Sequence, residues 1–302
     1  MSFPFGKAIF EQALAQTPGL STWFIASFTL AGRFLLSALL LFALQPTRVT
    51  RSELSQGVGL GLFTGIGMQL QMDGLNFTEA STSAFLTQGY IVILPLVALA
   101  VERRLPPARV AVSVVTILLG LAILSGFDPK TFRIGRGETE TLIASAFFAA
   151  QILWLGRARY RANRSGPVTV VMFAAIAVLL FPISALSAQS TGDYGAVLGS
   201  GAALLAFLTL VLLCTLAAFW LMNRFQPFLA PSEAGIIYGA EPVFASLFAL
   251  VLPGLLSAAF AIDYPNERFT LRLLVGGGLV TLANVLLQLG STKAVVPQSS
   301  KA

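Results

Sequence analysis

The sequence predicts an all-α polytopic membrane protein: two inverted five-helix repeats, about ten transmembrane helices, the first of them truncated. Three observations predict it. Of 302 residues, 56% are hydrophobic and 11% charged, with a mean hydropathy of +0.82; a soluble domain carries about 25% charged residues. The apolar residues gather in stretches of roughly 20, the length that crosses a hydrocarbon core at about 1.5 Å per residue. The Lys and Arg behind the formal charge of +6 lie in short loops between those stretches, which marks membrane topology rather than a nucleic-acid partner.

Composition also removes chemistries. There is no histidine, hence no His-containing zinc site, no His base and no Ser–His dyad. Cys214 is the only cysteine, so no intrachain disulfide forms, and its apolar setting reads as packing. No Walker loop is present to hydrolyse ATP by that route. The chain is therefore read as a non-enzyme without metal or cofactor.

The elements follow in order. Residues 1–16 hold Lys7 and Glu11 inside an apolar run and lack a signal-peptide cleavage pattern. They read as the second half of a membrane helix whose beginning is absent. The second span covers about 20–44, with Arg33 near its centre, and the third about 54–75. In the third, Gly57, Gly61 and Gly65 recur at the spacing that lets two helices approach closely. Asn76 and Glu79 read as a cap for a fourth span at about 79–101. Further spans lie at about 109–126, 139–157, 167–188 and 199–222, with a tenth at about 270–290. The apolar part of 254–269 reads as an extension of the ninth helix or an interfacial segment.

Twelve of the 19 Lys and Arg fall in the loops after helices two, four, six and eight and in the tail, which places the C-terminus in the cytoplasm. Lys130, Arg133 and Arg136 fall on the other side, so the boundary between helices five and six is the weakest point of this topology. The two halves superpose with an offset of 150, Asp73 meeting Asn223 and Gln88 meeting Tyr238. Five spans per half is odd, so the halves sit inverted. The organisation is a first repeat over 1–127, a linker at 128–138, a second repeat over 139–290 and a tail at 291–302.

The ninth span, Ser232 to Pro253, carries Glu241 near its middle, followed by Pro242. A carboxylate at membrane depth costs about 2.5 kcal/mol or more, so it faces a cavity, pairs, or carries a proton. Pro242 removes a backbone hydrogen bond and predicts a helix kink. The structural alternative is a paired glutamate in that kink. Tyr238 and Glu241 share a helix face. In the fourth span Tyr90 belongs to one polar stripe and Gln88 to the next; in the sixth, Gln151 and Trp154 share a face. Lys7, Arg33, Gln88, Tyr90, Gln151, Trp154 and Tyr238 are the candidate cavity residues and Glu241 the candidate proton carrier. For each, packing or interhelical hydrogen bonding is the competing reading.

The stretches SFPFGKAI, AGRFLLSALLL, TSAFLTQGYIVILPLVALAVERRLPP and APSEAGIIYGAEPVFASLFAL resemble the drug/metabolite transporter superfamily, in its EamA-type ten-helix branch. The resemblance covers nearly the whole chain. It implies a multi-pass protein of the bacterial inner membrane with two inverted five-helix repeats, exporting amino acids, metabolites or drugs on ion gradients. The sequence departs from that pattern twice. The Trp-Gly that often precedes the stretch matching Ser2 to Lys7 is missing, and Gly254 is followed by Leu255 where the family has Gly-Glu. The expected partners are a small-molecule solute and the lipid bilayer, with a homodimer as the allowed assembly. The expected function is secondary transport by alternating access, coupled to protons through Glu241. The alternatives are an uncoupled exchanger or uniporter, a non-transporting scaffold, and an intramembrane enzyme acting on lipid-linked substrates.

Overall fold

A computed structural model describes residues 2–78, 83, 86–102, 107–125, 127–128, 130, 134–238, 240–262, 266 and 269–291. Every regular element among them is helical. The chain runs through α1 (Ser2–Gln16), α2 (Thr22–Leu44), α3 (Arg51–Gly74), α4 (Tyr90–Glu102), α5 (Ala108–Ser125), α6 (Arg136–Leu155), α7 (Ser165–Ser187) and α8 (Gly192–Leu198). One long helical stretch follows: α9 (Gly201–Thr209), a π-helical segment (Leu210–Ala217) and α10 (Ala218–Phe225). The chain ends in α11 (Pro231–Tyr238), α12 (Glu241–Ala249), α13 (Leu252–Phe260) and α14 (Leu271–Ser291). Thr22–Leu44, Ser165–Ser187 and Gly201–Phe228 are long and apolar enough to cross a membrane.

Polarity is distributed as a membrane demands. Leu39, Val178, Leu186, Leu205 and Leu274 point outward, Leu186 with 88% of its surface free. Arg33, Gln56, Asp73, Gln151 and Asn223 are buried inside. Water would favour the reverse arrangement; in lipid, polar side chains must find partners within the bundle. With its succession of apolar helices, this is the architecture of a polytopic membrane protein.

The tightest pairings are α2 with α7, α3 with both α6 and α7, and α5 with α14. The expected glycine stripe explains one of them. A Cβ on Gly57 would stand 2.6 Å from Val171 Cβ, and one on Gly61 would stand 2.5 Å from Ala175 Cβ and 2.9 Å from the Met172 carbonyl oxygen. Both glycines let the α3 backbone lie directly on α7, the close approach that replaces hydrophobic drive between membrane helices.

Two helix starts 150 residues apart are capped in the same way. Thr50 caps α3 by accepting from the Glu53 amide, and Ser200 caps α9 by accepting from the Ala203 amide. Thr22, at the start of α2, donates to Asp73 at the end of α3 (2.5 Å). At the end of α10, Asn223 donates to Thr169 near the start of α7 (2.9 Å). These bonds tie the ends of α3 and α10 to the starts of α2 and α7.

Several local expectations change. The Asn76 side-chain amide donates to the carbonyls of Met72 and Asp73, so it also closes α3; Glu79, its expected partner in a cap, lies outside the described residues. The segment after the ninth span is not a continuation of that helix. It is a separate helix, α13, ended by Ala261 in the left-handed conformation (φ 53°) and packed against α1. Arg136, expected to weaken the topology, is a local counter-ion. It reaches buried Asp73 at 2.5 Å and Glu140 at 2.8 Å, and lies over the Phe77 ring.

The opposite end of α3 is held by Glu53 and Arg164. Arg164 Nε and Nη2 donate to the two carboxylate oxygens at 2.8 and 3.0 Å, and the Thr50 amide adds a bond at 2.8 Å. Arg164 first, and then the Thr50 cap, hold the Glu53 carboxyl down from 4.5 to about 2. A depressed carboxyl contributes stability above its unfolded pKa and loses it as pH falls through the folded one. Thermal midpoints are therefore expected to be level from about pH 7 to 5 and to fall between about pH 4.5 and 2. Glu53→Gln should flatten that acid limb. It should cost about 1–2 kcal/mol at neutral pH, a modest figure because Arg164 is 52% exposed.

Candidate functional site

The ninth span is interrupted. α11 ends at Tyr238, and α12 begins at Glu241 with Pro242 as its second residue. The kink expected at the proline is a break between two half-helices, in which the Ala240 amide reaches Ile237 O and the Val243 and Phe244 amides share Ala240 O. The break places Glu241 in the first turn of α12, where unsatisfied amide groups favour a negative charge. Backbone freed in this way at membrane depth persists where it lines a cavity. Glu241 carries exposed surface, yet it stands within electrostatic reach of Tyr90 and Cys214 in the bundle.

Around it the structure gathers part of the expected set. Tyr90 is buried and interacts with Gln88, Tyr238 and Glu241. Gln88 is 2% exposed, and among the described residues its Oε1 has no hydrogen-bond partner. α11, which carries Tyr238, packs on α4, which begins at Tyr90. Tyr238 donates to Gln226 Oε1 (2.9 Å), and Gln226 Nε2 donates to the Ile152 carbonyl (3.2 Å). The Gln226 side chain therefore ties the eighth span, the sixth and the ninth together just below Glu241. Sequence reading missed it; its signal was a QPF turn at the end of a long apolar run.

Arg33 is 2% exposed, and its Nε donates to Thr215 Oγ1 at 2.7 Å. Thr215 lies in the π-helical segment, and its hydroxyl donates five residues back to Leu210 O. Short π segments inside helices concentrate at functional places because they displace the regular ladder. Among the described residues no carboxylate pairs with Arg33. Cys214, next to Thr215, lies within electrostatic reach of both Arg33 and Glu241.

The remaining candidates lie elsewhere. Lys7 is exposed on α1, a helix that packs against α12. Gln151 is buried and reaches Met222 Sδ at 3.6 Å. Trp154 sits at the end of the bundle, its indole donating to Gln56 O at 3.1 Å with Phe63 edge-on and the Arg157 guanidinium over its ring. Gln151 and Trp154 share a helix face but turn to different neighbours, α10 and α3.

At that end a cavity of about 740 Å³ opens between α3, α6, α7 and α10. Arg157, Arg161, Arg224, Tyr160, Asn163 and Asn223 are among its lining residues. The ninth span thus brings two half-helices together at a carboxylate, α2 brings a buried guanidinium to the π segment, and a cavity with basic lining opens at one end. Among the described residues no group of His, Cys, Asp and Glu could hold a metal ion.

No family model matches the chain. It is similar to a protein of Archaeoglobus fulgidus described as an uncharacterized transporter, with 26% identity over 200 residues. That match covers 66% of this chain and 61% of the archaeal protein, so the chain spans less than two thirds of that relative's length. One crystal structure of a protein aligns with 97% of this chain and 98% of its own, at a TM-score of 0.64 and 17% identity, which shows a shared fold.

Proposed function

We propose that the chain is a secondary transporter that moves a small metabolite across the membrane by alternating access. The observation that carries this reading is the broken ninth span, with Glu241 opening α12 within electrostatic reach of Tyr90 in a bundle of apolar helices. The similarity to an archaeal protein described as a transporter supports transport in general. The finer reading is an EamA-type exporter of the bacterial inner membrane, C-terminus cytoplasmic, with a first repeat over 1–127 and a second over 139–290. The paired ties Thr22–Asp73 and Thr169–Asn223 support that repeat.

In this mechanism Glu241 alternates between ionised and protonated forms as the cavity opens to either side. Tyr90, Gln88 and Tyr238 supply hydrogen bonds to the solute, and Arg33 balances charge. Lys7 enters from α1. Releasing the tie between Tyr238 and Gln226 would join the centre to the basic end.

The test is a thermal-shift screen of a metabolite library on purified protein, run in parallel on Glu241→Gln. A ligand at a hundredfold excess over its Kd stabilises by about 2.7 kcal/mol. The reading expects a hit whose pH dependence disappears in Glu241→Gln. A hit that shifts both proteins equally at every pH would favour an uncoupled exchanger, and a chemically altered product would favour an enzyme.

A further inference from the structure

The arginines at the Trp154 end do not behave alike. Arg164 is neutralised by Glu53 at 2.8 Å. Among the described residues Arg157, Arg161 and Arg224 pair with no carboxylate, and all three line the 740 Å³ cavity. Among its described lining residues there is no Asp or Glu. Arg157 lies over the Trp154 ring at 4.0 Å and Arg224 over the Trp220 ring at 5.3 Å. Stacking of this kind holds a guanidinium by its face and leaves its N–H edge for an oxyanion.

Loop arginines alone would be a topology signal. Asn223 makes this a site. It lines the cavity, is 3% exposed, and among the described residues its Oδ1 has no hydrogen-bond partner. Its orientation is fixed: the Thr169 hydroxyl donates to Ser165 O at 2.7 Å, so its oxygen accepts from Asn223 Nδ2 at 2.9 Å. The free atom is therefore an acceptor. A buried acceptor without a donor is destabilising, a cost removed by a ligand that brings an O–H or N–H.

We propose that this cavity binds an oxyanion carrying a neighbouring hydroxyl or ammonium donor, the oxyanion held by Arg157, Arg161 and Arg224 and the donor by Asn223 Oδ1. The volume suits a small solute. The same chemistry occurs in a free phosphate ester of a polyol and in the headgroup of a phosphoglycerol lipid. Binding is read without flux, so the result stands or falls separately from the transport reading.

The probes are glycerol 3-phosphate, inorganic phosphate and glycerol, titrated into the full chain in neutral detergent, and phosphatidylglycerol against phosphatidylcholine nanodiscs. Tryptophan emission reports directly, because cavity arginines cover Trp154 and Trp220; calorimetry gives affinity. Glycerol 3-phosphate should bind saturably and at least tenfold more tightly than inorganic phosphate, weakening as salt is raised. Arg161→Gln with Arg224→Gln should weaken it tenfold or more, while Arg161→Lys with Arg224→Lys retains most of it. Asn223→Ala should erase the preference over inorganic phosphate. A response confined to phosphatidylglycerol discs and lost in the double Gln variant would assign the lipid as the source. No saturable response to any probe, or binding unchanged in a double Gln variant of normal helicity, overturns the proposal.

Discussion

Gly61→Leu is expected to abolish the folded bundle. Even the first added carbon would stand 2.5 Å from Ala175 Cβ and 2.9 Å from the Met172 carbonyl oxygen, and the latter is backbone that no rotamer change can move. α3 would have to separate from α7, and α3 is also the helix that holds Trp154, Glu53 and Asp73 in place. Overpacking of this sort costs about 1–3 kcal/mol where side chains can yield, and more where backbone cannot. The check is size-exclusion chromatography of the detergent-extracted protein: loss of the monodisperse peak for Gly61→Leu and its retention for a leucine at Gly278, where a Cβ meets nothing within 4 Å.

Arg33→Met should separate stability from function. Arg33 is fully enclosed, has one hydrogen bond to a hydroxyl and pairs with no carboxylate among the described residues. Replacing a buried ionic group with an apolar side chain of similar length is often neutral or stabilising. The thermal midpoint of Arg33→Met should therefore be unchanged or higher, while solute flux falls at least tenfold. A variant that is less stable yet transports normally would make Arg33 a structural strut and remove it from the site.

Long apolar runs punctuated by charged loops define α2, α3, α5, α6, α7 and α14 within a few residues, because a bilayer admits only one kind of open-ended span. The Gly57–Gly61 stripe was equally legible, since its period follows from helix geometry alone. The ninth span was legible only in part. Glu241 and Pro242 mark a disturbance, but whether the helix bends or breaks depends on backbone partners from other elements. The π segment was illegible: LVLLCTLA has the composition of any membrane helix, and it widens where Thr215 meets Arg33 from α2. The basic cavity was also beyond reach of the sequence, because its walls come from four helices and the orphaned acceptor of Asn223 follows from Thr169, 54 residues away. For the same reason Trp154 read as a neighbour of Gln151, when its partners lie on α3.

The central claim is that Glu241 couples solute movement to protons, and the direct measurement is transport in proteoliposomes with and without a pH gradient. For the wild-type chain, a gradient should drive accumulation of the solute found by ligand screening. For Glu241→Gln it should drive none, while solute-for-solute exchange at equal pH continues at a comparable rate. Gradient-driven accumulation that persists undiminished in Glu241→Gln would contradict the account.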